Sequence, residues 1–335
     1  MKDVYLLAAG VLTGLAVPTS ALPQLSIIHS QVSRIPWIQS QQAQLPSAEE
    51  RSPVATPENS APEFSNQQIK TSPSLLNNTQ PDTEQQDIDR QPLSGKQLFY
   101  QRLAALRVGQ IYTRVADEKS GSQFTGTKSK LSYQDWKGLL FLEARAMADG
   151  QGANRLSIMV GDSLSMWFPK EKLPSGKLWL NQGISGDTST GVSRRLSAFS
   201  KTRPDVIYVM AGINDLRQGV SDATILRNHR RIVRRLREDH PLTQIIVQSI
   251  LPTRLPTVSN SRIRKINLSL AVIAKEEGAN YLNIHNWFAD SQGNLRQDLT
   301  TDGLHLSLNG YEVWQAAIGQ VESKISVSQI KHAKK

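Results

Sequence analysis

Along the second half of the chain, apolar positions form two patterns, which are short continuous runs and a helical repeat. Five short apolar runs beyond Arg155 predict β-strands, at Leu156–Val160, Lys177–Leu180, Val206–Met210, Ile245–Ile250 and Tyr281–Ile284. Helical periodicity separates these runs, near residues 188–200, 221–239, 259–277 and 309–323. Short apolar strands that alternate with helices are typical of βαβ crossovers, in which helices cover both faces of a parallel sheet. We therefore predict an α/β fold of three layers, α/β/α, with a mostly parallel five-stranded sheet.

Two amphipathic segments precede the first predicted strand and predict helices over residues 94–111 and 132–149. The second begins with Ser132 and Asp135 at the spacing of a capping box, and Gly150 is placed to end it. We expect residues 93–154 to form a helical extension packed on a domain that spans residues 155–327. This extension could cover a face of the sheet or shape a substrate entrance, and the sequence leaves both open.

The first quarter of the chain lacks this periodicity. Gln, Ser, Pro, Asn and Thr dominate residues 22–92, and such a composition cannot bury enough apolar surface to offset its conformational entropy, so we predict a disordered linker. The apolar run Val4–Val17 is shorter than the roughly 20 residues that span a bilayer. Residues 1–21 are therefore expected to be a signal peptide or an N-terminal membrane anchor. The protein would then be periplasmic, extracellular or tethered to the outer face of the inner membrane. Residues 328–335 are expected to form a basic tail.

Composition adds charge and excludes some chemistry. The formal net charge is +10, and many of the positive charges lie between residues 227 and 237 of a predicted helix. A solvated helix face is the favoured interpretation. The alternative is a patch for an anionic envelope surface, formed by Arg227, Arg231 and Arg234. No specific nucleic-acid partner is expected, because no nucleic-acid-binding motif accompanies the charge. The chain has no cysteine, which excludes disulfides, thiolate catalysis and zinc sites with cysteine ligands.

Polar motifs follow the first three predicted strands, at the ends where open parallel sheets bind their ligands. The motif GDSLS occupies residues 161–165, and a serine at its centre would expose a hydroxyl among backbone N–H groups. The motif NQGISGDTS occupies residues 181–189, where Asp187 or Ser185 would cap the next helix. The motif GIND occupies residues 212–215, and the amide of Asn214 can donate to a developing oxyanion. Each motif alone also fits an ordinary cap or turn.

Near the C-terminus, Asp302 and His305 lie three residues apart in one predicted loop. A serine hydrolase requires a histidine base and a carboxylate that orients it, and this spacing lets the two side chains meet. Of the six histidines, only His305 lies beside an aspartate in such a loop. A metal site built from Asp298, Asp302, His305 and His285 is a minor alternative, because no H-E-x-x-H motif supports it.

The four motifs, in this order, resemble those of the SGNH (GDSL-type) hydrolases. The resemblance is to the branch of thioesterase I/lysophospholipase L1 and platelet-activating-factor-acetylhydrolase-like esterases, and it covers about residues 155–322. It implies a flavodoxin-like SGNH hydrolase fold, with Ser163 as nucleophile and with Asp302 and His305 as its partners. It also implies an oxyanion hole formed by Ser163, Gly186 and Asn214, in which Gly183 is the other candidate for the glycine.

The same resemblance implies a serine esterase that hydrolyses carboxylic esters and needs no metal or organic cofactor. The ester could be a lipid acyl ester or an acetylated saccharide, and the length of the acyl chain stays open. Met166, Trp167 and Phe168 could line an acyl pocket or pack in the core, and Leu251–Pro252 resembles the start of a substrate-facing loop. The alternative function is a non-catalytic module that binds envelope glycan or lipid.

Overall fold

A parallel five-stranded sheet forms the centre of the domain. The computed structural model describes residues 94–115 and 130–333, with side chains up to residue 326. The strands lie in the order β2-β1-β3-β4-β5, and every pair is parallel. They are β1 Leu156–Gly161, β2 Leu178–Gly183, β3 Val206–Met210, β4 Gln244–Gln248 and β5 Asn280–Leu282. The predicted α/β class and the parallel sheet are confirmed.

Helices cover both faces of this sheet. They are α1 Gly95–Arg107, α2 Tyr133–Gly150, α3 Ser163–Met166, α4 Ser189–Arg195, α5 Ile213–Arg217, α6 Asp222–Asp239, α7 Asn260–Glu276, α8 His285–Phe288 and α9 Leu308–Ala333. Met159 of β1 packs in one core cluster with residues of α8 and α9, whereas Ile158 and Val160 pack in another with residues of α2, α4 and α6. Every residue of β1 is buried, as expected of a strand covered on both faces.

The strand boundaries differ from the predicted ones by up to three residues. The helix boundaries differ more, since the helix predicted near residues 309–323 continues to Ala333 and the helix predicted over residues 94–111 ends at Arg107. Strand β2 continues to Gly183 because Asn181 and Gln182, which break the apolar run in sequence, still pair with Met159 and Val160 of β1. Helices α3 and α5 were not predicted, because four or five residues are too few to show a helical period. Both begin directly after strands, and both carry predicted site residues.

The helical extension packs against the domain through an apolar cluster. Leu98 and Phe99 of α1 and Trp136 of α2 meet Met166 and Ile184, which follow β1 and β2. The predicted capping box is present, since Ser132 accepts from the backbone N–H of Asp135 and the Asp135 carboxylate accepts from the N–H of Ser132. The extension therefore meets the two segments that follow β1 and β2.

A buried ion pair adds to this contact. Arg102 of α1 pairs with Glu143 of α2, and both side chains are at most 3% exposed. Arg102 Nη2 also donates to the backbone oxygen of Asn181 in β2, at 2.7 Å. One guanidinium group thus joins both helices of the extension to the sheet.

The arginines of α6 are mostly engaged with neighbouring groups. Ile225, Ile232 and Leu236 of this helix are buried, so its arginine-bearing face is turned outward. Arg234, one of the three arginines assigned to an anionic surface, pairs with Glu277 at 2.7 Å. Another, Arg227, donates to the Thr224 hydroxyl. The anionic-surface patch remains a prediction, and the ion pair of Arg234 with Glu277 reduces the charge available for it.

Among residues 94–115 and 130–333, no helix has both the length and the apolar character needed to cross a bilayer. The predicted signal peptide or anchor, residues 1–21, and the predicted linker, residues 22–92, lie outside the described residues. Most of the predicted basic tail continues α9, whose backbone is helical to Ala333.

Candidate active site

Ser163 lies where β1 passes into α3. Asp162 caps this short helix, because its Oδ1 accepts from the backbone N–H of Leu164 at 3.0 Å. The turn needs glycine at position 161, since a Cβ there would collide with the Met210 backbone oxygen and the Ser165 side chain. Ser163 itself is 6% exposed. The strand end and the cap therefore hold a serine hydroxyl just below the surface, at the carboxyl edge of the sheet.

The structure brings the three predicted triad residues together. His305 Nε2 lies 3.2 Å from Ser163 Oγ, although 142 residues separate them in sequence. On the other side of the ring, Nδ1 lies 2.6 Å from Asp302 Oδ2. A hydroxyl, an imidazole and a carboxylate in this order can pass a proton from the serine to the ring.

Asp302 is held as a carboxylate acceptor by its own loop. Its Oδ1 accepts from the backbone N–H groups of Leu304, at 2.9 Å, and His305, at 2.7 Å. Burial opposes ionisation of this group, but the hydrogen bonds from the His305 ring and from these two N–H groups outweigh it and lower the pKa of Asp302. Gly303 turns the loop with a φ of 85°, and its oxygen accepts from the Thr253 hydroxyl at 2.8 Å.

Asn214 reaches the same place from α5, after β3. Its Nδ2 donates one hydrogen to the backbone oxygen of Asp187 at 3.0 Å, and its Oδ1 accepts from Arg217 Nη1 at 3.1 Å. These contacts fix which way the amide points. The second Nδ2 hydrogen has no acceptor among the described residues, so it can be offered to an oxyanion.

The two glycines considered for the oxyanion hole differ in their surroundings. Gly183 is the last residue of β2, and its N–H already donates to Asn181 Oδ1 at 2.9 Å. A Cβ at this position would collide with the Met166 backbone, so Gly183 serves close packing. Gly186 has a φ of 78° and open space around it, and no acceptor for its N–H lies among the described residues. This geometry favours Gly186 as the donor.

Asp187 and Arg195 support residues 184–188, which we call the oxyanion loop because they include the predicted donor Gly186. Arg195 Nε donates to Asp187 Oδ2 at 2.6 Å, and its two terminal nitrogens donate to the backbone oxygens of Gln182, at 2.5 Å, and Gly161, at 2.8 Å. Burial raises the pKa of Asp187, an effect that the Arg195 guanidinium opposes. One arginine therefore ties this loop to the ends of both β1 and β2.

The expectation that Asp187 or Ser185 would cap the next helix is wrong. Thr188 caps α4 by accepting from the Gly191 N–H at 3.2 Å, while the Asp187 carboxylate is bound by Arg195. The sequence interpretation also missed Arg195 and Asp215. Asp215 accepts from both the N–H and the hydroxyl of Ser189, at 2.7 and 2.6 Å. The position of Asp215 next to Asn214 in the GIND motif is the feature of the sequence that could have predicted its role.

Met166 and Phe168, which follow Ser163, are buried, and Trp167 is half-buried against the same core clusters. Phe168 packs edge-on against Tyr311 and Trp314, with ring centroids 5.5 and 5.2 Å apart. Met166 lies in the apolar cluster of the helical extension. Of the two alternatives for these side chains, core packing is therefore the one that the structure supports. A cavity of about 10 Å³ near the carboxyl edge of the sheet is lined by Leu164, Ile213, Leu251, Pro252 and Leu304, among others.

Asp162, which directly precedes Ser163, lines the same cavity and has a strongly raised pKa. It is 1% exposed, and its Oδ2 has no hydrogen-bond partner. Burial raises the pKa of Asp162 to about 7, although the hydrogen bond from Leu164 opposes the shift. At neutral pH this carboxyl group is therefore close to half protonated.

The residues of the alternative metal site do not form a cluster. Asp298 pairs with Arg296 at 2.6 Å, and Asp302 is engaged by His305. His285 follows β5, which lies three strands away from β1 in the sheet. At the usual spacing between neighbouring strands, β5 and β1 are therefore about 14 Å apart. Within the described part of the chain, no three His, Asp or Glu residues are grouped so that they could hold a metal ion.

Comparison with known proteins identifies relatives of this domain. Residues 148–313 match the model of the GDSL-like lipase/acylhydrolase family. The platelet-activating factor acetylhydrolase IB subunit alpha1 of Bos taurus is 27% identical over 203 residues, which cover 58% of this chain and 85% of that protein. The Homo sapiens protein of the same name is 28% identical over 178 residues, which cover 51% and 76%.

A solved structure supports the same assignment. This protein from Streptococcus pneumonia, described as a platelet activating factor, is 25% identical and superposes with a TM-score of 0.52. The match covers 56% of this chain and 93% of that one. The family model and these relatives, together with the parallel sheet, show that residues 148–313 form a domain of the GDSL-like lipase/acylhydrolase family, the SGNH hydrolases.

Proposed function

We propose that the protein is a serine esterase that hydrolyses carboxylic esters through an acyl-enzyme intermediate. The observation that carries this proposal is the 3.2 Å contact between Ser163 Oγ and His305 Nε2, continued by the 2.6 Å contact to Asp302. A hydroxyl within hydrogen-bond reach of an imidazole that a carboxylate orients is the arrangement that activates a serine nucleophile. Membership of an acylhydrolase family supports this reaction class.

The proposed reaction has two steps. His305 Nε2 accepts the proton of Ser163 while Oγ attacks the ester carbonyl carbon, and Asp302 keeps the other ring proton on Nδ1 and stabilises the imidazolium. The oxyanion accepts hydrogen bonds from the N–H groups of Ser163 and Gly186 and from the Asn214 amide. The intermediate collapses, and His305 protonates the departing alcohol. Water then attacks the acyl-enzyme with the same base, which releases the acid and restores Ser163.

The names of the relatives, rather than the site itself, indicate the acyl part of the substrate. The curated relatives are named acetylhydrolases, which agrees with a small acyl group. We propose acetyl esters, with the alcohol part either a lipid or a saccharide. Export stays a prediction from residues 1–21, and no step of the reaction depends on it.

Ester hydrolysis by the full chain tests this proposal directly. The purified protein is assayed against p-nitrophenyl esters from acetyl to long acyl chains, beside Ser163→Ala and the control Ser269→Ala on α7, whose hydroxyl donates to the backbone oxygen of Lys265 in the same helix. We expect turnover that is fastest with acetyl, is lost in Ser163→Ala and is retained in the control. Turnover that survives in Ser163→Ala would contradict the assigned nucleophile, and faster turnover of long chains would contradict the acyl preference.

The alternative function is a non-catalytic module that binds envelope glycan or lipid. A serine-directed fluorophosphonate probe separates it from the esterase, because the probe reacts only with an activated serine. Labelling of the wild-type protein, absent from Ser163→Ala, supports the esterase. A folded wild-type protein that is neither labelled nor active supports the binding module.

A further inference from the structure

Tyr133 lies outside the residues that match the family, 148–313, yet its hydroxyl reaches the oxyanion loop. It is the first residue of α2, directly after the cap residue Ser132, so the capping box fixes its backbone. Tyr133 Oη donates to Asp187 Oδ1 at 3.3 Å. A side chain of the helical extension thus touches the loop that carries Gly186.

Asp187 is the residue through which this contact can act. Its carboxylate accepts from Tyr133, from Arg195 and from the backbone N–H of Thr188, the last at 3.0 Å. Its backbone N–H donates to Ile184 at 3.1 Å, and its backbone oxygen accepts from the Asn214 amide. Any movement of Asp187 therefore moves both the Gly186 peptide next to it and the amide of Asn214.

Helix α4 leaves room for the contact between Tyr133 and Asp187. Gly191 of α4 faces it, and a Cβ there would overlap the Asp187 carboxylate and lie 3.1 Å from Tyr133 Oη. Burial raises the pKa of the Tyr133 hydroxyl, and the charge of Asp187 raises it further. The hydroxyl therefore stays protonated and can keep donating to the carboxylate at neutral and mildly alkaline pH.

We propose that Tyr133 is a positioning residue for ester hydrolysis, and this inference rests on the proposed esterase function. By holding the Asp187 carboxylate, it keeps the N–H of Gly186 and the amide of Asn214 aimed at the place where the oxyanion forms. Oxyanion stabilisation depends on donors that are in place before the charge develops. The helical extension thus helps to position the oxyanion donors, in addition to packing against the segment that follows β2.

The variant Tyr133→Phe tests this role in the full chain, because it removes one oxygen from a side chain on the surface. We expect kcat for acetyl ester hydrolysis to fall by about three- to tenfold, with KM within about twofold, since the contact supports the transition state more than the bound substrate. The matched control is Tyr100→Phe on α1, whose hydroxyl has no hydrogen bond among the described residues. It should keep the wild-type kcat.

A purely structural role would give another pattern. It would lower the melting temperature of Tyr133→Phe relative to Tyr100→Phe and leave kcat per fluorophosphonate-labelled site unchanged, and this result would overturn the proposal. Gly191→Ala provides a second, independent disturbance of the same junction and should lower kcat per labelled site as well. If Tyr133→Phe equals wild type while Ser163→Ala is inactive, the positioning role fails and the esterase stands. If wild type neither turns over nor labels, both fail together.

Discussion

At the scale of single residues, Asn214 shows how the site keeps one donor free. Both ends of its amide are engaged, by the Asp187 backbone oxygen and by Arg217, and these contacts leave one Nδ2 hydrogen without a protein acceptor in the described structure. The amide is thus oriented before any substrate binds. Preorganised donors of this kind stabilise a transition state without a further cost of reorganisation.

Replacing Asn214 with alanine should therefore lower turnover strongly. Loss of one oxyanion donor costs about 10²–10³ in kcat in comparable enzymes, and we expect a loss of this size for Asn214→Ala. The measurement is kcat for acetyl ester hydrolysis, with folding checked by circular dichroism. Asn280→Ala is the control, because Asn280 begins β5 at the opposite edge of the sheet and pairs with Gln244. A kcat near that of wild type would contradict the role of Asn214.

At the scale of elements, one buried charge pair adds to the apolar contact between the helical extension and the sheet. Arg102 and Glu143 face each other with almost no exposure, and Arg102 also binds the backbone of β2. Charges out of water are costly unless they are paired, so neither side chain can be removed alone without leaving the other unsatisfied. The pair therefore fixes the relative placement of α1, α2 and β2.

Breaking this pair should destabilise the protein markedly. We expect Arg102→Met to lose about 3–5 kcal/mol in the free energy of unfolding, because Glu143 is left buried and unpaired. The double variant Arg102→Met/Glu143→Leu should recover much of that loss, since no charge then stays buried. Urea unfolding measures both, and Arg145→Met on the exposed face of α2 is the control. Equal stabilities of the single and double variants would contradict this account.

At the scale of the whole molecule, stability should depend on pH through Asp162. Its pKa rises from 3.8 in the unfolded chain to about 7 in the fold. Between these values the folded state binds more protons than the unfolded state, so the contribution of Asp162 to stability falls as pH rises from about 4 to about 7. Above about pH 7 the contribution of Asp162 to the free energy of unfolding is lost completely. The loss is about 1.4 kcal/mol for each unit by which its pKa is shifted.

The variant Asp162→Asn should remove this dependence, because an amide keeps the acceptor for Leu164 and does not ionise. The melting temperature of Asp162→Asn minus that of wild type should therefore increase from pH 5 to pH 8. A change of about 2–4 °C is expected per kcal/mol. The exposed control Asp149→Asn should show no such trend. A difference that is constant across this range would show that the buried carboxyl does not titrate there.

The periodicity of the sequence predicted the parallel sheet and the helices of the domain, because each long element repeats its apolar face several times. The helices α3 and α5 were missed, since elements this short show no period. The end of β2 was missed because Asn181 and Gln182 are polar but still pair with β1. Short elements and polar strand ends thus depend on contacts with other parts of the chain.

The sequence by itself determined the fold class and the residues proposed for the reaction, because these depend on local patterns and on motifs at strand ends. Only the tertiary structure decided which side chains support them. Arg195 joins three separate segments and Tyr133 reaches Asp187 from 54 residues away, and no local pattern reports such contacts. The structural support for Gly186 over Gly183, the order that the resemblance had already implied, also comes from the fold, because it requires knowing which backbone N–H already has a partner.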